Sequence, residues 1–565
     1  MIRTDSQFEA IPSDAEISNA ATYRPIQDVA ADLGLEPTEI ERIGTHKAKV
    51  THEAIQRASA GEQDGRLVLV TAMTPTRAGE GKTVTTVGLG QALGELGENA
   101  AVAIRQPSLG PIFGIKGGAA GGGYAQVVPM DEINVHFTGD IHAITVAHNL
   151  IAAMLDNHLH QGNEPTIDPD GVVWPRAMDM NDRALRNVVV GLGGSVNGVP
   201  REAEFVITAA SELMAVVGMA SDIPDLKQRV GRVIVASDVD GESVTVDDLE
   251  ATGAVAAVLR DAIRPNLVQT LAGTPAFVHG GPFANIAHGT SSILADRLAL
   301  THAEYVVTEA GFGADLGAEK FFDIVSRNDL EPDAVVLVAT VRALEHHGSD
   351  GLAGETDDSL GALRAGFENL DHHLDVLEHV GFEPVVAINR FPDDTAAELE
   401  AVQAHCRERG VTAEVSDVYR NGGEGGIELA RAVRDAADRG APDFEPLYDL
   451  EAAVREKIET IATEVYGADG VEFTAQARTD LEHLAEHGFD DLPVCISKVP
   501  SSLSDDPTAF GVPSGWTLSI RRLYPAAGPG FVVALTGDVM TMPGLPAEPA
   551  AKALDVRPDG TITGL

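Results

Sequence analysis

The sequence predicts an α/β protein of several domains, in which a large domain with a mostly parallel sheet is followed by two smaller α/β domains. Three observations favour this class. The chain has 565 residues, which is too long for a single hydrophobic core. An apolar run of strand length, Leu67–Met73, leads into a glycine-containing turn and then into helix-like apolar spacing. Between residues 356 and 466, strand-like and helix-like segments alternate, which is typical of a parallel sheet.

We expect domain boundaries that divide the chain into residues 1–355, 356–466 and 467–565. Residues 1–65 are expected to form packed helices, and no catalytic or binding residue is recognisable among them. The middle range contains a buried strand, Pro384–Asn389, and the last range contains a late strand at Phe531–Leu535. The large first range is expected to hold the nucleotide site.

The turn after the first strand, Thr74-Pro-Thr-Arg-Ala-Gly-Glu-Gly-Lys-Thr83, has the composition of a phosphate loop. In such a loop, backbone N–H groups and the positive end of the next helix face the phosphates of a nucleotide. Lys82 is expected to reach the β- and γ-phosphates of ATP, and the Thr83 hydroxyl to ligate Mg²⁺. Thr76 stands where the usual pattern has its first glycine, so a plain surface turn is the alternative. The strand before and the helix after it favour a P-loop NTPase-like domain. The predicted nucleotide-binding residues are Thr76, Arg77, Ala78, Gly79, Glu80, Gly81, Lys82 and Thr83.

A glycine-rich segment follows the next apolar strand, Ala100–Ile104. It holds seven glycines between residues 105 and 126, and glycine lets the backbone approach a ligand closely. Arg105 and Lys116 are suitable partners for a phosphoryl or carboxylate group. A flexible linker is the alternative, although linkers rarely hold residues such as Phe113 and Tyr124. Five histidines between residues 136 and 160 favour a polar site nearby, although single histidines are more often packed or on the surface.

The charge balance is strongly acidic. The chain has 86 acidic and 40 basic residues, a net charge of -46, and only nine of the basic residues are lysine. Such surfaces suit concentrated salt, where the Debye length falls to about 3 Å at 1 M and self-repulsion is screened. We therefore expect a halophile's enzyme, with an acidic mesophilic protein as the alternative. The charge disfavours nucleic-acid and membrane partners, since both require basic patches.

Cysteine usage and hydropathy predict a cytoplasmic protein. Cys406 and Cys495 are the only cysteines, which are too few for a disulfide framework. The N-terminus lacks a basic segment followed by an apolar one, and no apolar run reaches membrane-spanning length.

Longer motifs carry a more specific signal than any single loop. They are the phosphate loop with its Thr76 and the segments Arg105–Pro111, Gly117–Tyr124, His136–Asp140, Asp156–Asn163, Asp179–Arg186, His279–Gly289, Thr308–Lys320 and Met542–Pro546. From Lys47 to the C-terminus, the chain resembles formate–tetrahydrofolate ligase, also called formyltetrahydrofolate synthetase.

The resemblance implies ATP-dependent ligation of formate to tetrahydrofolate, giving 10-formyltetrahydrofolate, ADP and phosphate through formyl phosphate. Formate has no leaving group, so a phosphoryl transfer must first make it an acyl phosphate that the folate nitrogen can attack. Lys82 and Arg105 are the expected catalytic residues. The planar guanidinium of Arg105 would hold formate and then formyl phosphate.

The resemblance also implies a folate site and several partners. Phe391 and Tyr419 are expected to sandwich the pterin ring of tetrahydrofolate, with or without a polyglutamate tail. The glycines after Tyr419, at Asn421–Gly426, are expected to permit close approach. Members of the family use Mg²⁺ and a monovalent cation, here K⁺, and are typically homotetramers.

Four positions in three places depart from the family pattern: Tyr419 replaces Trp, Gln106 replaces Glu, and Pro500-Ser501 replaces Gln-Tyr. Two other classes of function therefore stay open. One is a different phosphate-loop carboxylate ligase on the same architecture, and the other is a non-catalytic nucleotide-binding protein.

Overall fold

The computed structural model describes residues 11–61, 63–114, 120–164, 166–349, 359–440, 444–537 and 539–565. Its central feature is a sheet of 12 strands. Ten of them follow one another across the sheet in the order Ile40–Ile43, Lys47–Val50, Asn266–Thr270, Pro275–Val278, Ala100–Ile104, Tyr305–Glu309, Arg66–Ala72, Ala334–Ala339, Val385–Asn389 and Ala413–Ser416. The other two are attached at the side, Ala125–Val128 next to Asn266–Thr270 and Gly121–Gly122 next to Ala125–Val128.

Seven neighbouring strands of this sheet are parallel, from Pro275–Val278 to Ala413–Ser416. The strand Arg66–Ala72 lies in the middle of the seven. This confirms the predicted α/β class with a large, mostly parallel sheet. Because parallel strands end at the same edge, the residues that follow them are brought together there, where α/β proteins bind their ligands.

Both faces of the parallel part are buried, which explains why its strands are continuous apolar runs. In the strand Arg66–Ala72, alternate side chains enter two hydrophobic cores, with Leu69 in one and Val70 in the other. The helix Lys82–Glu95 packs Leu93 into the second core. This packing fixes the start of the helix, and with it the phosphate loop, against the sheet.

Helices cover the two faces of the sheet and the smaller layers. The α-helices are Asp14–Ala20, Ile26–Asp32, His52–Ala60, Lys82–Glu95, Leu109–Gly114, Met130–Asn134, Asp140–Gln161, Glu212–Met219, Ile223–Arg232, Thr252–Leu259, Ile293–His302, Val341–Gly348, Ser359–Ala365, Phe367–His379, Ala396–Arg409, Val418–Asn421, Ile427–Ala437, Val454–Thr460 and Ala475–Glu486. Three π-helical turns are Ala314–Ala318, Phe321–Val325 and Ile461–Val465, and the 3-10 turns are Arg183–Leu185, Ser195–Asn197, Thr208–Ala210, Ser326–Asn328, Gly422–Gly426 and Ala550–Lys552.

The remaining strands form small sheets. These pair Val188–Val190 with Arg201–Ala203, Arg176–Met178 with Phe205–Ile207, Gly470–Phe473 with Thr517–Ile520, and Asp555–Val556 with Ile562–Thr563. One three-stranded sheet contains Ser243–Thr245, Ile234–Asp238 and Ile167–Val172. Another contains Val494–Ser497, Phe531–Leu535 and Arg522–Ala526.

The large sheet crosses the first predicted domain boundary. Its last two strands, Val385–Asn389 and Ala413–Ser416, lie in the range 356–466 and continue the sheet of the range 1–355. The C-terminal part has a hydrophobic cluster of its own, running from Tyr448 to Ala534 with Leu316 and Val376 added. The division into three domains stays a prediction.

The N-terminal region contains more than the predicted helices. The strands Ile40–Ile43 and Lys47–Val50 extend the large sheet at its antiparallel end. Their short length and charged residues gave no clear strand pattern, so the structure adds them to the sequence-based expectation.

Candidate active site at the carboxyl edge of the sheet

The predicted phosphate loop connects the strand Arg66–Ala72 to the helix Lys82–Glu95, in the expected order. Gly79 and Gly81 adopt left-handed backbone conformations, with φ of 78° and 74°. Gly81 must be a glycine for a second reason, since a Cβ there would lie 2.2 Å from Asn389 Nδ2. The loop backbone therefore turns sharply just before the helix begins, as phosphate binding requires.

Thr76 closes the loop through a buried carboxylate. Its backbone N and its Oγ1 donate hydrogen bonds to Glu80 Oε1 at 2.7 Å and 2.8 Å. Thr340 Oγ1 donates to the other carboxylate oxygen of Glu80, which is only 4% exposed. A threonine in place of the usual glycine thus supplies a hydroxyl that holds the loop together.

Lys82 and Thr83 point toward the end of the neighbouring strand, Tyr305–Glu309, and the segment after it. Lys82 Nζ donates to the Phe312 carbonyl at 2.9 Å, and Thr83 Oγ1 donates to Glu309 Oε2 at 2.8 Å. Phe312 has a φ of 63°, which is uncommon for a bulky residue and typical of functional loops. Glu309 is not among the site residues predicted from the sequence, although an acidic residue at the end of an apolar run was a usable signal.

Arg105 follows the strand on the other side of Tyr305–Glu309. Its Nη1 donates a long hydrogen bond of 3.4 Å to the Pro282 carbonyl. Its Nε and Nη2 are buried and donate to no atom of the described residues. Burial lowers the pKa of Arg105, and the charge of Glu309 opposes that shift. A buried cation with unused donors is costly, and it is a suitable binding group for an anion.

A small cavity lies against this guanidinium. Its volume is about 10 Å³, close to the space that one water molecule needs, so a small anion such as a carboxylate would enter only with movement of the lining residues. The lining residues include Arg105, Gly311, Phe312, Lys320, Lys498 and Pro500.

Two buried ion pairs each bring one lysine side chain to the cavity, Lys498 and Lys320. Lys498 Nζ lies 2.8 Å from Asp315 Oδ2, and Lys320 Nζ lies 3.1 Å from Glu319 Oε2. Burial lowers the pKa of Lys498, with Asp315 acting against the shift, and burial raises the pKa of Glu319 to about 7. The cavity is therefore lined by three cationic side chains drawn from distant parts of the chain, and Lys498 comes from the C-terminal range.

Comparisons with known proteins place this arrangement in a family. A family model described as formate–tetrahydrofolate ligase matches residues 12–565. The formate–tetrahydrofolate ligase of Haloquadratum walsbyi is 56% identical over 569 residues, covering 99% of this chain and 98% of the relative. That of Haloarcula marismortui is 56% identical over 550 residues (96% and 100%), and that of Symbiobacterium thermophilum is 56% identical over 559 residues (98% and 100%).

The chain belongs to the formate–tetrahydrofolate ligase family. The recognition made from the sequence motifs is confirmed. These relatives include proteins from halophiles, as the acidic composition led us to expect.

In this family member, Phe391 and Tyr419 follow neighbouring parallel strands in which Asn389 pairs with Ser416. The guanidinium of Arg342 lies over the Phe391 ring, 4.4 Å from its centroid. The two aromatic residues thus lie at the same edge of the sheet as the phosphate loop, and their role in folate binding stays a prediction.

Tyr419 is half-buried against the N-terminal part of the ligase. Its hydroxyl donates to Asp14 Oδ1 at 3.3 Å, and its carbonyl accepts from Tyr124 N at 2.8 Å. A Cβ on Gly123 would lie 2.0 Å from that carbonyl, so only glycine permits this contact. Tryptophan has no hydroxyl and could not make this contact with Asp14. The tyrosine at this position, where the family usually has tryptophan, therefore has a specific hydrogen-bond partner.

The glycines at Asn421–Gly426 pack against the helix Lys82–Glu95. A Cβ on Gly423 would lie 2.4 Å from Glu95 Oε1, and one on Gly426 would lie 3.2 Å from the Cβ of Ala92. Close approach was expected at these glycines, and the element that approaches is the phosphate-loop helix.

The other two departures lie beside the cavity or next to Arg105. Pro500 lines the cavity next to Lys498. Gln106 donates through its backbone N to the Gly280 carbonyl at 2.6 Å, and its side-chain Oε1 is buried and accepts no hydrogen bond from the described residues.

Of the five histidines, His136 and His142 line one small cavity together, whereas His148 is a packing residue. His148 is buried, with its ring nitrogens 2.8 Å from Ser211 Oγ and 2.9 Å from the Pro175 carbonyl, and it stacks on Trp174 at 4.3 Å. Burial lowers its pKa to about 3, so it is a neutral packing residue. Lys116, a candidate anion partner, lies outside the described residues.

Among the described residues, no three His, Cys, Asp or Glu side chains are grouped as a metal site. No helix of the same residues is long and apolar enough to cross a membrane.

Proposed function

We propose that this protein ligates formate to tetrahydrofolate with cleavage of ATP, giving 10-formyltetrahydrofolate, ADP and phosphate. The observation that carries the proposal is the Arg105 guanidinium, which lines a small buried cavity and has two buried nitrogens that donate to no atom of the described residues. A planar guanidinium matches both a carboxylate and an acyl phosphate. Its position next to the phosphate loop suits a reaction that transfers a phosphoryl group to formate.

The nucleotide site is of the phosphate-loop NTPase type and belongs to the range 1–355. The loop N–H groups and Lys82 would hold the triphosphate. Thr83 Oγ1 and Glu309 Oε2, 2.8 Å apart, are oxygen donors of the kind that Mg²⁺ prefers. Mg²⁺ usually takes one or two protein oxygens and completes its shell with phosphates and water, so this small donor set fits it. Bound there, the ion would neutralise charge on the phosphates.

The position of Lys82 suits the first chemical step. Its Nζ contacts the carbonyl of Phe312, and Phe312 also lines the cavity, so the ammonium lies between the phosphate loop and the formate site. An oxygen of formate attacks the γ-phosphorus, the bond from that phosphorus to ADP breaks, and formyl phosphate forms. Arg105, Lys320 and Lys498 would neutralise the acyl phosphate in the cavity.

The second step transfers the formyl group to folate. The N10 nitrogen of tetrahydrofolate attacks the formyl carbon, the bond from that carbon to phosphate breaks, and N10 loses its proton. Phe391 and Tyr419, in the range 356–466, would hold the pterin by stacking. Lys498 would be the contribution of the range 467–565.

Further properties implied by the family are part of the same proposal. They are a cytoplasmic homotetramer, K⁺ as the monovalent cation, and a tetrahydrofolate substrate with or without a polyglutamate tail. The buried Gln106 Oε1 is a neutral oxygen of the kind that K⁺ accepts as a ligand, in place of the carboxylate usual in the family.

The test is a coupled assay in concentrated KCl that follows ADP release with formate alone, tetrahydrofolate alone, and both together. Only the full mixture should give sustained turnover. Arg105→Ala should raise the Michaelis constant for formate and lower kcat, since a charge-assisted contact contributes about 1.5–3 kcal/mol. The matched control is Arg260→Ala, an arginine that is 68% exposed. Turnover with another carboxylate but not with formate would favour a different phosphate-loop ligase, and nucleotide binding without product would favour a non-catalytic protein.

A further inference from the structure

Arg342 lies between the phosphate loop and Phe391. Its Nη2 donates a hydrogen bond to the Gly79 carbonyl at 2.7 Å. The same guanidinium lies 4.4 Å from the centroid of the Phe391 ring. Arg342 belongs to the helix Val341–Gly348, which follows the strand next to the phosphate-loop strand. One planar group therefore touches both a residue of the proposed nucleotide site and a residue of the proposed pterin site.

A second connection runs in parallel through Asn389. Its Nδ2 donates to the Glu80 carbonyl at 2.9 Å, and it stands two residues before Phe391. Thr340, which caps the Arg342 helix, donates to the Glu80 carboxylate. The carbonyls of two consecutive phosphate-loop residues are thus held by side chains, one from the helix Val341–Gly348 and one from the strand that leads to Phe391.

The geometry of a peptide makes these contacts sensitive to the nucleotide. The N–H and C=O of a trans peptide point in opposite directions, so a loop that turns its N–H groups toward phosphates turns its carbonyls outward. With φ of 78° at Gly79 and 74° at Gly81, this loop has that curvature. Binding that fixes the N–H groups also fixes the carbonyls that Arg342 and Asn389 hold.

We propose that Arg342 is a positioning residue that couples nucleotide binding to folate binding. With nucleotide bound, the fixed Gly79 carbonyl holds the guanidinium, and the guanidinium holds the Phe391 ring in the orientation that stacks the pterin on its other face. The inference rests on the proposed function, which puts ATP at the phosphate loop and the pterin at Phe391. By linkage, nucleotide and folate then strengthen each other's binding by the same factor.

The test measures that factor in the full-length protein. The dissociation constant of tetrahydrofolate is determined anaerobically in concentrated KCl by calorimetry, without nucleotide and with saturating ADP and Mg²⁺. In the wild type, we expect nucleotide to tighten tetrahydrofolate binding by at least about fivefold. In Arg342→Ala, the ratio of the two constants should fall to within about twofold of one.

Two further variants separate coupling from simple loss of structure. Arg342→Gln retains a donor for Gly79 but places no cation over the ring, so it should also lower the ratio, and it serves as the test if Arg342→Ala does not fold. Arg390→Ala is the control, because Arg390 directly precedes Phe391 in the sequence and pairs with Asp417 at 3.8 Å. This variant should leave the ratio unchanged. A purely structural role for Arg342 would change both constants together and leave their ratio as in the wild type.

Either of two results overturns the proposal: a wild-type ratio of one, or wild-type ratios in the folded Arg342 variants. If the wild type binds no tetrahydrofolate under either condition, the proposed function itself fails, and the coupling proposal fails with it. A tight but uncoupled folate site would overturn the coupling alone.

Discussion

Replacing Glu309 by glutamine removes one negative charge from the proposed magnesium site while keeping the shape of the side chain. Glu309 is 6% exposed, and its Oε2 accepts from the Thr83 hydroxyl at 2.8 Å. A hydrogen bond to a charged group contributes about 1.5–3 kcal/mol. If that charge orients the Thr83 oxygen toward Mg²⁺, its loss should weaken magnesium binding about 10- to 100-fold, since 1.4 kcal/mol corresponds to a factor of ten.

The assay is the initial rate of ADP formation as a function of Mg²⁺ at saturating formate and tetrahydrofolate. Glu309→Gln should raise the magnesium concentration for half-maximal rate, while nucleotide affinity without magnesium stays close to that of the wild type. Glu304→Gln is the matched control, because Glu304 is exposed just before the same strand begins. An unchanged magnesium dependence in Glu309→Gln would refute the assignment of this carboxylate.

Other contacts lead to measurable expectations of their own. Thr340→Val leaves the buried Glu80 carboxylate with one donor fewer and should lower the free energy of unfolding by about 1–3 kcal/mol, and an unchanged denaturation midpoint would contradict this. Burial raises the pKa of Glu212 from 4.5 to about 7, although Gly528 N donates to it, so the folded protein binds that proton more tightly than the unfolded chain. The free energy of unfolding, compared with that of Glu212→Gln, should therefore be highest below about pH 4.5 and should fall by about 3 kcal/mol as the pH rises through about 7. Unfolding both proteins at a series of pH values measures this difference. Phe391→Ala should raise the tetrahydrofolate dissociation constant about 5- to 100-fold and spare ATP binding, and unchanged folate affinity would rule out the stacking role. With a net charge of -46, the unfolding midpoint should rise with KCl concentration, and full stability in dilute buffer would disprove the salt adaptation.

The elements around residue 80 were predictable because their signal is local. An apolar run, a turn with glycines and a helical spacing of apolar residues all lie within one continuous segment. The structure has the strand at Arg66–Ala72 and the helix at Lys82–Glu95, close to the predicted positions. Arg105 was predictable in the same way, because it directly follows the short apolar strand Ala100–Ile104. The roles of Lys82 and Arg105 in binding remain predictions.

Glu309 shows what local patterns could not reveal. It lies 226 positions along the chain from Thr83, and the two meet because the strand Tyr305–Glu309 lies between Ala100–Ile104 and Arg66–Ala72. No periodicity within a strand specifies which strand becomes its neighbour. The glycines at Asn421–Gly426 illustrate the same limit. Their composition indicated a close approach, and only the packed structure shows that the partner is a helix.

The amino-acid sequence alone determined the fold class, the family and the acidic character of this protein, because each is contained in contiguous residues or in composition. The tertiary structure alone decided that Lys498 joins Arg105 at one cavity and that Arg342 joins the phosphate loop to Phe391. These contacts depend on the order of the seven parallel strands across the sheet and on the packing of the C-terminal part against the edge of that sheet. That order is set by the burial of many side chains at once, which no short stretch of sequence contains.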